Sequence, residues 1–259
     1  MDPYIIEIFT SEWYIANILS LLALLLFLTV CFFLLKSNFI KKNELEKKFR
    51  KILGFLILSR FLISYIYQAS NGLWNIEHSL PFHLCGISGI AGGILLLRYS
   101  QSLYEFILLL GAPGALWSFI TPQLNVLESG AGFYNPSFMY LDYFISHAAI
   151  IFVPLYFTFF LGKKPRPLSY FKIFIKVNIF IVPIIALINI MISKIFNLKF
   201  VNYMYLMRPP EVDNPFIVDS SLYIGVMEFV AFMHMVIIYS FFIMAYKFKP
   251  TLNIKGRIA

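Results

Sequence analysis

The chain is poor in charge. Only 13% of its 259 residues are Asp, Glu, Lys or Arg, about half the share of a soluble domain. So few charges cannot coat a water-exposed surface. With 60% hydrophobic residues and a mean hydropathy of +0.79, a water-soluble globular protein is excluded. Cysteine is almost absent, and Cys31 and Cys85 alone cannot build a disulfide framework. There is no internal repeat of solenoid period, and Gly and Pro, at 13 each, are too few for a linker or a collagen. The first fourteen residues, MDPYIIEIFTSEWY, contain no Lys or Arg. They lack the basic start of a cleaved signal peptide, so the first apolar run is expected to be retained.

What is present in quantity is apolar length. Runs at about 13–35, 51–68, 80–98, 102–120, 138–161, 168–193 and 219–246 each approach the ~20 residues that ~30 Å of hydrocarbon requires. The expected fold is all-α: one polytopic transmembrane domain over 1–259, a bundle of seven helices. The formal charge of +8 serves as a topology signal. Segments 36–51, 163–176 and the tail from Lys247, with Arg98, hold 17 of the 21 Lys and Arg. The positive-inside rule then places the N-terminus outside and the C-terminus in the cytoplasm. This accounts for the basic balance without nucleic acid, and anionic lipid is the natural contact of such loops. Abundant Ile, Phe and Lys fit a bacterium of AT-rich genome, so the expected location is a bacterial plasma membrane.

Ionisable groups inside spans are costly, so function is best sought among them. Arg60 lies about 13 Å up the second span, and Glu228 lies at similar depth in the seventh. They are expected to form an intramembrane ion pair that fixes helix packing. The third span begins LPFHLCGISGI (80–90), with Pro81 at a helix start. Cys85 then sits one turn inside the upper face, where a helix dipole and a nearby imidazole favour the thiolate form that a nucleophile needs. His83 is about 200° away around a regular helix and cannot share a small substrate with Cys85 unless that turn is distorted. The fifth span, FISHAAIIFVPLY (144–156), supplies His147 on another helix, with Asp142 nearer the surface.

An unpaired cysteine in an apolar helix is usually a small hydrophobe, which is the reading given to Cys31. His83, Cys85, Asp142 and His147 include no close pair at metal-ligand spacing, so no metal site is expected, and no cofactor. In GAPGALWSFITP (111–122), Pro113 predicts a kink with space beside Trp117. Small residues following Cys85, from Gly86 to Gly93, allow tight packing or a groove for an acyl chain. NYMYLMRPPE (202–211) brings Asn202, Tyr203 and Arg208 to the mouth of the seventh span, where a guanidinium can grip a phosphate.

LPFHLCGISGI, GAPGALWSFITP, FISHAAIIFVPLY and NYMYLMRPPE, in this order and spacing, resemble the YwaF and transmembrane protein 164 family of integral membrane proteins over about residues 10–246. The resemblance implies a multi-span fold similar to the androgen-induced membrane hydrolases. It also implies an acyltransferase that moves a fatty acyl group between phospholipids, or to water, through a cysteine thioester without coenzyme A. Carried over, Cys85 is the nucleophile and His83 and His147 are candidate bases. Asn202 is the expected oxyanion donor and Arg208 the phosphate ligand, with a phospholipid or lysophospholipid as partner. The sequence departs from the family at Gln123, where an acidic residue is expected, and at 214–225, which lacks a Pro- and Trp-rich turn. A reading of another class is a small transporter or lipid-binding protein without covalent chemistry, centred on Arg60 and Glu228. The absence of an inverted repeat counts against transport, and loops of about 15 residues leave a sensor no output domain.

Overall fold

The computed structural model describes residues 4–36, 43–124, 136–199, 201–210 and 222–247. It is all-helical apart from one short antiparallel pairing, Tyr4–Ile5 with Gln123–Leu124. We number the helices α1 Ser11–Lys36, α2 Asn43–Ser70, α3 Leu84–Leu97, α4 Gln101–Ile120, α5 Pro136–Phe159, α6 Ser169–Phe196 and α7 Tyr223–Lys247. Among the described residues six of these are long and apolar enough to cross a membrane, so this is a multi-pass membrane protein. The expected third span is shorter than a crossing requires: α3 has 14 residues, about 21 Å at the helical rise against ~30 Å of hydrocarbon. The side chain of Cys31 and the basic tail beyond Lys247 fall outside the described residues.

Helices alternate in direction. We call upper the end that holds the N-termini of α1, α3, α5 and α7. There the Trp13 indole donates to the Ile120 carbonyl at 2.7 Å. At the lower end Arg50 donates to the Leu96 carbonyl at 2.7 Å, which closes the C-terminus of α3. Arg166 forks onto Glu105, which is 1% exposed. The bundle is centred on α4, whose apolar window is 67% buried against 11% for α1, α2, α6 and α7. Those outer helices present Leu, Ile and Phe to their surroundings because lipid, not water, is the solvent.

Lipid supplies no hydrophobic drive between helices, so close approach and polar links hold them. A Cβ on Gly93 would lie 2.6 Å from Leu58, and one on Gly54 would lie 3.0 Å from the Gly93 carbonyl. These glycines let α2 and α3 touch backbone to backbone. Two helices widen into a π turn just before a proline: Ile107–Gly111 before Pro113, and Val177–Ile181 before Pro183. Proline cannot donate the next i→i−4 bond, and the π turn redistributes the freed carbonyls. At Pro113 this wider turn stands beside Trp117 in the helix where the sequence pointed to a kink.

Candidate active site

Cys85 occupies the first turn of α3. His83 is the N-cap in extended conformation, and its side chain makes no cap bond. The N–H groups of this turn therefore point toward the cavity end of the helix without an intrahelical acceptor, as at any helix start. Proximity to Pro81 shapes the turn: a Cβ on Gly86 would sit 2.9 Å from the Pro81 backbone.

Two side chains from other helices meet the thiol. Ser118 of α4 lies with its Oγ 3.5 Å from Sγ, and the His147 imidazole of α5 lies near enough to act on the thiol electrostatically. His147 is 7% exposed. Its Nδ1 lies 2.6 Å from the Tyr143 carbonyl one turn earlier. A carbonyl only accepts, so Nδ1 carries the hydrogen and Nε2 is left as the basic nitrogen toward the thiol. Tyr143 stacks on the same imidazole at 4.3 Å between centroids, and its hydroxyl donates to the Ser118 carbonyl at 2.9 Å. The imidazole is thus oriented by the backbone and by a ring anchored to the helix that carries Ser118.

His83 lies elsewhere. Its ring packs between Tyr203 at 5.3 Å and Tyr205 at 5.1 Å. Tyr205, with Met204, holds a left-handed backbone conformation at φ +54° and +56°, a strain of about 1–2 kcal/mol at each non-glycine position. Its hydroxyl donates to Gln123 Oε1 at 3.1 Å. Burial, then the neighbouring Cys85, hold the Tyr205 phenol above its ordinary range.

Four of the residues singled out from sequence take other parts. Arg60 forks onto Asp142 through Nε and Nη2, so the expected Arg60–Glu228 pair is not formed. Helix α2 faces α5, not α7, and Asp142 lies there at the right depth. Glu228 instead accepts from Asn178 Nδ2 at 3.0 Å, inside the second π turn. Asn202 uses its side chain to close the 202–208 loop, accepting from the Met207 and Arg208 N–H groups and donating to the Arg208 carbonyl. It is not placed as an oxyanion donor. Tyr203 is fully buried as a pin, donating to the Ile76 carbonyl at 2.6 Å and accepting from Leu80 N–H at 3.1 Å. Its backbone pairs with Asn189 at both groups, and burial pushes its phenol up to about 12.

All four histidines of the chain, with Cys85, line one cavity of about 1030 Å³, at the upper end of the ~300–1,000 Å³ range of ligand pockets. Trp117 and Arg208 also line it. The Trp117 indole donates to His234 Nε2 at 3.3 Å, while His234 Nδ1 is held by the Val230 carbonyl at 2.7 Å. Ser118, Tyr143, Tyr205 and His234 were not found from sequence. His234 carried a usable signal, an imidazole inside an apolar span; for the others, serine and tyrosine in an apolar run are too common to signal a site. Among the described residues no group of three or more His, Cys, Asp or Glu is arranged to hold a metal ion.

Comparison with known proteins gives no matching curated protein and no matching solved structure. A family model does match, that of the TMEM164 family, over residues 8–244. Spanning nearly the whole bundle and every residue of the cavity described above, that match shows that the chain belongs to the TMEM164 family.

Proposed function

We propose that the protein is a cysteine-dependent acyltransferase that moves a fatty acyl group between membrane phospholipids, or to water. The observation that carries the reading is that the Cys85 thiol shares one cavity with the His147 imidazole, whose Nδ1 is tied to a carbonyl. This pair stands at the wall of a large, mostly apolar cavity inside a membrane bundle. That constellation is the requirement for a nucleophile activated by an oriented base.

In the first step His147 Nε2 takes the thiol proton and Sγ attacks the ester carbonyl of a phospholipid. The S–C bond forms, the C–O bond breaks, and the leaving alkoxide takes the proton from His147. In the second step the hydroxyl of a lysophospholipid, or of water, gives its proton to His147 and attacks the thioester. The new O–C bond forms and the thiolate leaves to be reprotonated. The uncapped N–H groups at the start of α3 are the donors available to the developing oxyanion, in place of Asn202. Arg208 on the cavity wall remains the candidate phosphate ligand. His83, packed between tyrosines, supports the cavity wall and is not the base.

In this reading the upper end faces outward, with the N-terminus outside and the basic segments in the cytoplasm of a bacterial plasma membrane. The transporter alternative has lost the couple on which it was centred, since Arg60 and Glu228 have different partners. The test is intact-protein mass spectrometry before and after neutral hydroxylamine. A fatty-acyl increment that hydroxylamine removes and that Cys85→Ala lacks is the expected result. An unmodified wild-type cysteine after incubation with mixed phospholipids would overturn the mechanism.

A further inference from the structure

Two helices that follow each other in the chain stand apart in the bundle. Helix α1 packs on α5 and on the upper end of α4, while α2 packs on α3; α1 and α2 scarcely touch. The cavity occupies the gap between them and extends to its rim. Leu26 and Phe27 of α1, Leu56 of α2 and Ile145 of α5 all line it, yet each is exposed on the outside of the bundle. At that depth the outside is lipid.

The wall beside this gap has two zones. Arg60, Ser64 and Gln68 recur every fourth residue of α2 and so share one face, and all three line the cavity. Gln68 Nε2 donates to Ser64 Oγ at 3.2 Å, Ser64 Oγ donates to Asp142 at 3.2 Å, and Arg60 forks onto the same carboxylate. This polar ladder climbs from mid-helix to the upper end. Below Arg60 the lining is Leu53, Leu56 and Ile57 of α2, facing Ala23, Leu24 and Phe27 of α1. Two buried hydroxyls of the lining, Tyr65 OH and Ser88 Oγ, have no hydrogen-bond partner among the described residues. Ser88 is 0% exposed. A buried hydroxyl inside a membrane is costly without an acceptor, so each marks a polar point in the cavity wall.

We infer that the gap between α1 and α2 is a lateral entrance through which a bilayer glycerophospholipid enters directly from the leaflet at the upper end. Its phosphate and glycerol lie along the α2 ladder, and one acyl chain descends into the apolar zone. The ladder stops at Arg60, so the gap offers no polar path to the lower leaflet. This concerns binding and rests on the shape and lining of the cavity. It holds whether or not Cys85 forms a thioester, and Cys85→Ala is expected to bind lipid as wild type does.

The reporter is already in the wall. With Trp13→Phe and Trp74→Phe, Trp117 becomes the only tryptophan. Its fluorescence is followed in phosphatidylcholine vesicles as the acyl chains are replaced by dibrominated ones. The expected result is strong quenching that is lost on plugging the apolar zone with Ala23→Phe from α1 or Ala149→Phe from α5, while the thermal transition persists. Plugs from two different helices keep the test valid if one of them disturbs packing. A dibrominated fatty methyl ester, which lacks the phosphate, should quench less at equal membrane fraction, and Gln68→Leu should narrow that difference. Soluble glycerophosphocholine should not relieve the quenching if the headgroup arrives with its chain from the bilayer. Quenching that survives both plugs, or its absence in wild type, would overturn the entrance. Equal quenching by phospholipid and ester would overturn the role of the ladder.

Discussion

Removing one member of the Arg60–Asp142 pair should damage the protein far more than removing both. Asp142 is 10% exposed and receives Arg60 and Ser64. Arg60→Ala leaves that carboxylate with one hydroxyl donor in an apolar bundle, and breaking a buried pair costs about 3–5 kcal/mol. The guanidinium is 32% exposed to the cavity, so the lower end applies, about 3 kcal/mol. Asp142→Ala leaves Arg60 with the face of Phe61, 4.9 Å away, worth about 1–2 kcal/mol at a partly desolvated site, so its loss should be slightly smaller. The double variant strands neither charge and should lie within about 2 kcal/mol of wild type, giving a coupling near 3 kcal/mol. The assay is reversible unfolding in mixed micelles, titrated with dodecyl sulfate and followed by near-ultraviolet circular dichroism. The control cycle is Arg60→Ala with Glu228→Ala, whose losses should add to within about 0.5 kcal/mol because Glu228 is held by Asn178 instead. Additive losses at Arg60 and Asp142, or a coupling to Glu228 in their place, would refute the pairing.

His147→Ala should lower acyl transfer by about 10²–10⁴-fold with the fold intact, whereas His83→Phe, which keeps a ring between Tyr203 and Tyr205, should cost far less; steady-state turnover of a fluorescent phospholipid checks both. Tyr203→Phe removes a hydroxyl bonded to Ile76 and Leu80 and should lower unfolding stability by about 1–3 kcal/mol, since two buried backbone groups lose their partner. Burial holds His78 below its ordinary 6.5, with Glu77 partly opposing; the folded state therefore disfavours the proton. His78 should contribute stability above pH 6.5 that is lost as pH falls below it, and His78→Gln should flatten that part of a stability profile.

The one-dimensional pattern carried the helices well, and for a physical reason. A span must be long, apolar and internally hydrogen-bonded, and all three demands are local. The expected run at 168–193 is the helix Ser169–Phe196, and that at 102–120 is Gln101–Ile120. Which helices touch is not local. By depth Glu228 was the candidate for Arg60, and only the packing of α2 toward α5 brings Asp142 to it instead. Asn202 failed for a different reason. Its composition signal, a polar side chain at a cavity mouth, is identical to that of an Asx turn closing its own loop. Cys85 and His147 stood out because thiol and imidazole are rare in this chain, while Ser118 and Tyr143, which gather beside them, are chemically ordinary residues distinguished by position alone.

The shortness of α3 ties the site to its access. A helix that begins at Leu84 starts below the upper surface, and the segment from Asn71 to His83 folds over it as a roof. That roof is not left loose. Tyr203 bonds Ile76 and Leu80 from the 201–210 loop, and Asn189 grips the Tyr203 backbone from α6. Phe82 packs edge-on against the same tyrosine at 5.4 Å. An opening through the roof would have to break buried backbone bonds, each costly to leave unmade inside a membrane. An opening between α1 and α2 breaks almost nothing, because those helices are scarcely in contact. A water-soluble acyl carrier would need the first route and a bilayer lipid the second. On the proposed function, the same pins that hold the His83 ring against Tyr203 and Tyr205 therefore select a substrate that stays in the membrane. Loosening the roof with Asn189→Leu should admit polar thiol reagents to Cys85 from the aqueous side faster than in wild type, while lipid quenching of Trp117 stays unchanged. Equal reagent rates in the two proteins would mean that the roof is not the barrier.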